Sequence, residues 1–242
     1  MNDLAWVMLG GVCAAGGVSA WGSMVVSSQI FGTTLTHTGD AGTMALTFDD
    51  GPNPAVTTAL LDLLERYQAK GTFFVVGKHV RAFPRLTAEI VRRGHTIGNH
   101  TETHPRLNVC TPARTRDELD RCAEAIGEAA NVKPRWMRPP YGYRSPWLDG
   151  IVRSRFQSQV VMWSRMARDW AFTDPEPVIQ RLRRTGGGDI VVLHDGDHRA
   201  LQGKREHVLV ALEYWLPRWK DRGLRFLSMD EVQAKSEVMR PE

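Results

Sequence analysis

From Leu4 to Gly39 the chain has no Asp, Glu, Lys or Arg. Such a stretch is a poor solvated tail and calls for cover by protein or by lipid. The segment LAWVMLGGVCAAGGVSAWGSMVV (4–26) is long enough to cross a bilayer, which takes about 20 apolar residues. The opening MND lacks the Lys or Arg of a signal-peptide n-region, while Val18-Ser19-Ala20 is a small-residue pattern that a signal peptidase could accept. The competing reading is a buried helix that closes the bottom of a domain. We expect residues 1–40 to be an apolar membrane anchor or uncleaved signal and residues 41–242 to form the globular domain.

Cysteine is scarce: Cys13, Cys110 and Cys122, with no C-x-x-C pair. That argues against a thiolate zinc site, and an odd count argues against a disulfide framework. The three read as small buried hydrophobes; export would permit one bond, Cys110 to Cys122. No block of basic residues accompanies the net charge of +4; short groups such as RWMR (135–138) and RLRR (181–184) are scattered. This is a mildly basic solvated surface, not a nucleic-acid footprint, and it suits an anionic partner such as a cell-envelope polymer. Asn-Gly, the strongest hairpin signal, is absent. Neither an internal repeat nor a low-complexity segment is present.

What is present alternates. Strand-like runs occur at TMALTF (43–48), TFFVV (72–76), HTIGNH (95–100), WMRPP (136–140), QVVMWS (159–164), GDIVVLH (188–194) and RFLSM (225–229). Helical patterns separate them. One opens at Pro54, a second runs from Pro84 to Arg93, and a third from the cap Thr111-Pro112 to about Ala130. A fourth starts at Asp174-Pro175, and the last covers Glu206 to Arg222, with Pro217 as a point of interruption. About seven β-α units without hairpins imply a parallel sheet, either closed into a barrel or open and doubly wound.

The strand ends carry the polar residues. Asp49-Asp50, His100 and His104, Arg138 and Tyr141, Asp169-Trp170, and His194-Asp195 each follow a strand. In a parallel array these ends share one face, where loops build a site. Two adjacent carboxylates repel each other, so something must neutralise them. His100 and His104, at i and i+4 on a helical turn, can grip one cation; one Asp supplies an oxygen ligand, and the ion acidifies a water. The other Asp is then placed to take the water's proton. Both can reach one site only if the backbone turns there, which Gly51-Pro52 permits. Asp197 and His198, in DGDH (195–198), read as a polar loop and not as a second metal site.

At these residues the chain resembles the polysaccharide deacetylase (NodB-homology) family, carbohydrate esterase family 4. TFDDGP (47–52) is similar to its first motif, HTETH (100–104) to its H-[ST]-x-x-H motif, RPPYG (138–142) to its third, RDW (168–170) to the end of its fourth and VVLH (191–194) to its last. The resemblance covers about residues 43–230. It implies a distorted (β/α) barrel of about seven parallel strands, TIM-barrel-like. It also implies one divalent metal ion, commonly zinc, with cobalt, nickel or iron admitted by two His and one carboxylate.

The implied activity is hydrolysis of N-acetyl groups on amino sugars of a polymer such as peptidoglycan or chitin-like oligomers. The resemblance assigns Asp50, His100 and His104 to the metal and Asp49 to the general base, held by Arg138. It assigns the oxyanion to the backbone N–H of Tyr141, and the general acid to His194, oriented by Asp169. Trp170, Leu193, Pro139 and Tyr141 are expected around the acetyl pocket. Tyr143, Arg144 and Trp147 are candidate sugar contacts, with Trp147 equally a core residue. One departure is Met166, where the family usually has Asp or Asn. Two alternatives accompany this reading: a deacylase or deformylase of a lipid-linked amino sugar, and a non-catalytic carbohydrate-binding protein on the same fold. The expected location is the extracytoplasmic cell envelope, membrane-anchored or secreted, with the cytoplasm as the alternative. Neither nucleic-acid binding nor oligomeric state is indicated.

Overall fold

The computed structural model describes residues 16–238. Its centre is the apolar run Thr43–Asp49 (β2), buried along its whole length. A strand covered on both faces needs no polar alternation, which is why TMALTF reads as a continuous apolar run. Beside it lie Gly71–Val75 (β3), Thr96–Asn99 (β4), Trp136–Met137 (β5) and Gln159–Val161 (β6) on one side, and Ile190–His194 (β8) and Arg165–Met166 (β7) on the other. Thr34–Leu35 (β1) pairs with β6, and Arg225–Phe226 (β9) pairs with the start of β2. Every named pairing is parallel.

The sheet curls almost closed. Past β1, His37 bridges to Asp189 at the start of β8, and the Thr38 N–H donates to the Gly188 carbonyl. One short segment thus ties both edges of the sheet, and the result is a distorted barrel wrapped by helices. These are Thr57–Arg66 (α1), Gly77–Ala82 (α2), Pro84–Arg92 (α3), Pro112–Ala130 (α4), Leu148–Phe156 (α5), Pro175–Leu182 (α6), Glu206–Asp221 (α7) and Met229–Val238 (α8).

Strand alternation sorts the side chains. Met44, Leu46 and Phe48 of β2, with Val191 and Leu193 of β8, face the helices and form the larger core. Ala45 and Ile190 face inward with Phe74, Trp136 and Val161. Thr47 and Asp49 share that inward face, where Arg138 meets both.

All seven expected strands are present; β1 and β7, two residues each, are additional. The final run ends earlier than its apolar pattern implied, because Ser228 and Glu231 cap α8. α7 continues unbroken through Pro217. The fold also begins before residue 41. Besides β1, Arg144 reaches back to the Ser28 and Val25 carbonyls, 2.6 Å each, and its own N–H donates to the Ser23 carbonyl. Residues 4–15 of the candidate anchor lie outside the described residues and residues 16–24 are helical; no described helix is long and apolar enough to cross a membrane. Cys110 and Cys122 are both free, Cys122 buried, while Cys13 lies outside the described residues.

Candidate active site

Asp49 is the last residue of β2 and stands in register with His194 at the end of β8. Asp50 then takes the left-handed backbone region, φ 71°, which Asp tolerates better than most residues. That turn brings the second carboxylate back to the side of the first. The His79 ring bonds the Asp50 carbonyl through Nδ1 at 2.8 Å and fixes the turn.

His100 and His104 are not on a helical turn, as their spacing suggested. Residues 100–104 form an irregular loop with Thr101 and His104 left-handed, φ 68° and 60°. Asn99 Oδ1 accepts the Thr101 N–H at 2.8 Å, and the Thr101 hydroxyl accepts the His104 N–H at 3.1 Å. These bonds curl the loop until both imidazoles face Asp50, with Nε2 atoms 3.6 Å and 3.2 Å from Oδ1. His100 Nδ1 bonds the Arg138 carbonyl at 2.7 Å, so it carries the hydrogen and Nε2 presents its lone pair.

These donors fit a divalent cation. The Asp50, His100 and His104 ligand atoms lie within 4.8 Å of one another, and among the described residues no other such group occurs. Asp50 Oδ1 is buried and has no hydrogen-bond partner, an unusual state for a carboxylate oxygen facing two imidazoles. Burial pushes the His104 imidazole down to about 2 and lowers His100 as well, which keeps both neutral and able to ligate. Burial alone would raise the Asp50 carboxyl. The hydrogen bond from His198 and the fields of His104, His194 and His100 outweigh it and hold the group far below the usual carboxylate range.

Arg138 is fully buried and all three nitrogens are used. Nη1 donates to Asp49 Oδ1 at 2.9 Å and to the Thr47 hydroxyl at 2.6 Å; Nε and Nη2 donate to the Val161 and Met162 carbonyls. A buried guanidinium with every arm engaged holds its carboxylate in one orientation. Across the cleft, Asp169 is buried and accepts two bonds from His194, from Nδ1 at 3.0 Å and from the backbone N–H at 2.8 Å. Burial alone would push the His194 imidazole down, but the charge and hydrogen bond of Asp169 raise it to about 9. Beside it Asp195, fully buried, is raised to about 7 by burial.

The cavity over these groups holds about 400 Å³. Asp49, Asp50, His100, His104, His194, Pro139, Tyr141 and Trp170 all line it, as expected. Leu193 does not. It points into the helix-side core, fully buried, because it sits one residue from His194 on a pleated strand. Val192, two residues from His194, takes the wall in its place. Tyr141 is left-handed, φ 59°, with its ring half exposed. Met166 and Trp163 form an apolar wall opposite. Tyr143 also lines the cleft, whereas Arg144 is structural and Trp147 packs in the second core, its Nε1 donating to Thr115. His198, read as part of a polar loop, lines the cleft and bonds the Asp50 carboxylate. The loop's path over the site has no signature in spacing.

The model of the polysaccharide deacetylase family matches residues 36–154. A chitooligosaccharide deacetylase of Bradyrhizobium sp. is 37% identical over 197 residues, 77% of this chain and 89% of the relative. A peptidoglycan-N-acetylglucosamine deacetylase of Bacillus cereus is 34% identical over 195 residues, 78% of this chain and 87% of the relative. Among solved structures, a family 4 pseudoenzyme from Bacillus anthracis superposes with a TM-score of 0.72 at 25% identity, over 83% of this chain and 68% of its own. The fold therefore does not guarantee activity, and the site residues must carry that question. With relatives matched over nearly their whole length and all five strand-end clusters in place, the chain belongs to the polysaccharide deacetylase family.

Proposed function

We propose that the chain is a metal-dependent amidohydrolase that removes the N-acetyl group from amino-sugar residues of a polysaccharide or oligosaccharide. The observation that carries this reading is the convergence of two complete proton-handling pairs, Asp49–Arg138 and His194–Asp169, on the cleft that holds Asp50, His100 and His104. Those three residues would hold the ion, with zinc, cobalt, nickel and iron all compatible. Once bound, it would polarise the acetamide carbonyl and acidify a water molecule.

The chain's own residues supply the rest. Asp49, fixed by Arg138, takes a proton from the attacking water. The Tyr141 N–H donates to the oxyanion that develops on the carbonyl oxygen. His194 enters as the imidazolium that Asp169 stabilises, and gives its Nε2 proton to the leaving nitrogen as the C–N bond breaks. The products are acetate and a free amine. Val192, Trp170 and Pro139 leave room for the acetyl methyl, and Tyr143, Trp163 and the half-exposed ring of Tyr141 offer faces to sugar. The peptidoglycan and chitooligosaccharide relatives support an envelope or chitin-like polymer as substrate, and with it a place at the cell envelope.

Mass spectrometry of N-acetylglucosamine oligomers and of peptidoglycan fragments, incubated with zinc- or cobalt-loaded protein, tests the reading. Stepwise loss of acetyl groups, abolished by a chelator, is expected. Release of no acetate from any of these would remove the acetyl assignment. A turnover unchanged in Asp49→Asn would remove Asp49 from the role of general base.

A further inference from the structure

His198 lies outside the cluster of ligand atoms yet contacts two of its three residues, Asp50 and His104. Its Nδ1 is 3.3 Å from Asp50 Oδ2, the oxygen turned away from His100 and His104. Its ring stacks on that of His104 with centroids 3.9 Å apart and planes at 20°. Its Nε2 bonds the Tyr141 hydroxyl at 3.2 Å. The ring is thus held at an edge, a face and a far nitrogen.

The backbone that carries it is equally constrained. After β8 the chain doubles back, with Asp197 bridging to Ala200. Arg205 Nε donates to the Gly196 carbonyl at 2.9 Å, and its Nη2 reaches Asp197 Oδ2 at 3.4 Å. The Lys78 ammonium donates to the carbonyl of His198 itself. Gly196 packs its backbone on Asp50, and a Cβ there would collide with the Asp50 carbonyl. These four constraints together place one imidazole against one carboxylate oxygen.

We infer that His198 is a positioning residue for the metal centre: its Nδ1–H holds Asp50 Oδ2 so that Oδ1 is presented to the ion, and its ring braces His104. The inference rests on the reading that Asp50, His100 and His104 bind a metal. A carboxylate free to rotate would trade between its two oxygens, whereas one tied at Oδ2 offers a single donor in a fixed place. Loss of such an outer partner typically costs about 10- to 100-fold in metal affinity. The His198–Tyr141 bond extends the chain of contacts to the residue whose backbone N–H serves the oxyanion, whose ring also packs on His104 with centroids 4.7 Å apart.

Zinc affinity measured by competition with a chromophoric chelator, together with the visible spectrum of the cobalt-loaded protein, tests this without reference to turnover. His198→Phe keeps an aromatic ring but has no donor; it should lose about 10- to 100-fold in affinity while the shape of the cobalt bands stays that of the wild type. His198→Gln can offer an amide N–H to Oδ2 and should recover part of the loss. Matching thermal melts of the metal-free proteins verify that the fold is intact. Equal affinity in wild type and His198→Phe would overturn the inference. So would a change in cobalt band shape showing one nitrogen ligand fewer, since His198 would then be a ligand itself. Wild-type protein that binds no zinc would instead sink the metal-site reading, with His100→Ala as the non-binding control.

Discussion

Replacing Asp169 by Asn tests His194 as the proposed general acid. Asp169 is fully buried and receives both the Nδ1–H and the backbone N–H of His194. An Asn in its place can still accept the backbone N–H through its carbonyl, but its amide then donates to Nδ1. The ring is driven to the neutral tautomer with hydrogen on Nε2, and the imidazolium loses its counter-charge. Against burial, which opposes it, Asp169 raises His194 from 6.5 to about 9. That difference corresponds to a preference for the charged form on the order of 3 kcal/mol, most of it from Asp169.

The signs follow. A proton held more tightly in the folded state stabilises fully below about pH 6.5 and ceases to do so as pH rises through 9. The stability gap between wild type and Asp169→Asn should therefore narrow across that window in chemical denaturation. In catalysis the acid is competent only while protonated, so the alkaline limb of kcat/KM should move to lower pH in the variant. The rate at neutral pH should fall about 100- to 10,000-fold. A bound dication would repel the imidazolium, so the wild-type limb in loaded protein is expected below 9. Acetate release followed across pH for both proteins reads the shift. An alkaline limb that stays in place in Asp169→Asn would refute the assignment of His194 as the acid.

Other outcomes separate roles that sit close together. Asp49→Asn should abolish most turnover yet leave zinc affinity within a few-fold of wild type, measured by chelator competition; a collapse in affinity would make Asp49 a ligand. Arg138→Met strands the buried Asp49 charge and two backbone carbonyls, and should cost about 3–5 kcal/mol in urea unfolding. Leu193→Ala should destabilise by about 2–5 kcal/mol with KM for the oligomer unchanged. Val192→Phe, on the cleft side, should instead raise KM or remove turnover while the unfolding midpoint holds nearly constant.

The contrast between Leu193 and Val192 shows what the sequence could have told and did not. VVLH matched a motif, and the pocket wall was assigned to the residue next to His194. The period of a strand puts neighbours on opposite faces, so Val192 was the legible answer. The five strands of three or more residues were readable because buried parallel strands leave apolar runs. β1 and β7, two residues each, carry no periodicity; β5 and β9 are as short and were legible only through the longer runs around them, WMRPP and RFLSM. Ser228-Met229-Asp230-Glu231 held a capping-box signature that a strand reading absorbed. The candidate ligands were legible as residue types at strand ends. Their geometry was not: His100 and His104 meet through a left-handed loop tied by Thr101, not through helical spacing. His198 arrives by a loop whose course depends on Arg205, Lys78 and Gly196.

Arg144 matters to anyone who shortens this protein for expression. A chain cut to begin at residue 41 would remove the Val25 and Ser28 carbonyls from a buried guanidinium and peel Thr34–Leu35 away from β6. The uncovered rim of β6 would invite pairing between molecules, and aggregation would follow in the test tube. Starting near residue 22 keeps the stave that joins both margins of the barrel.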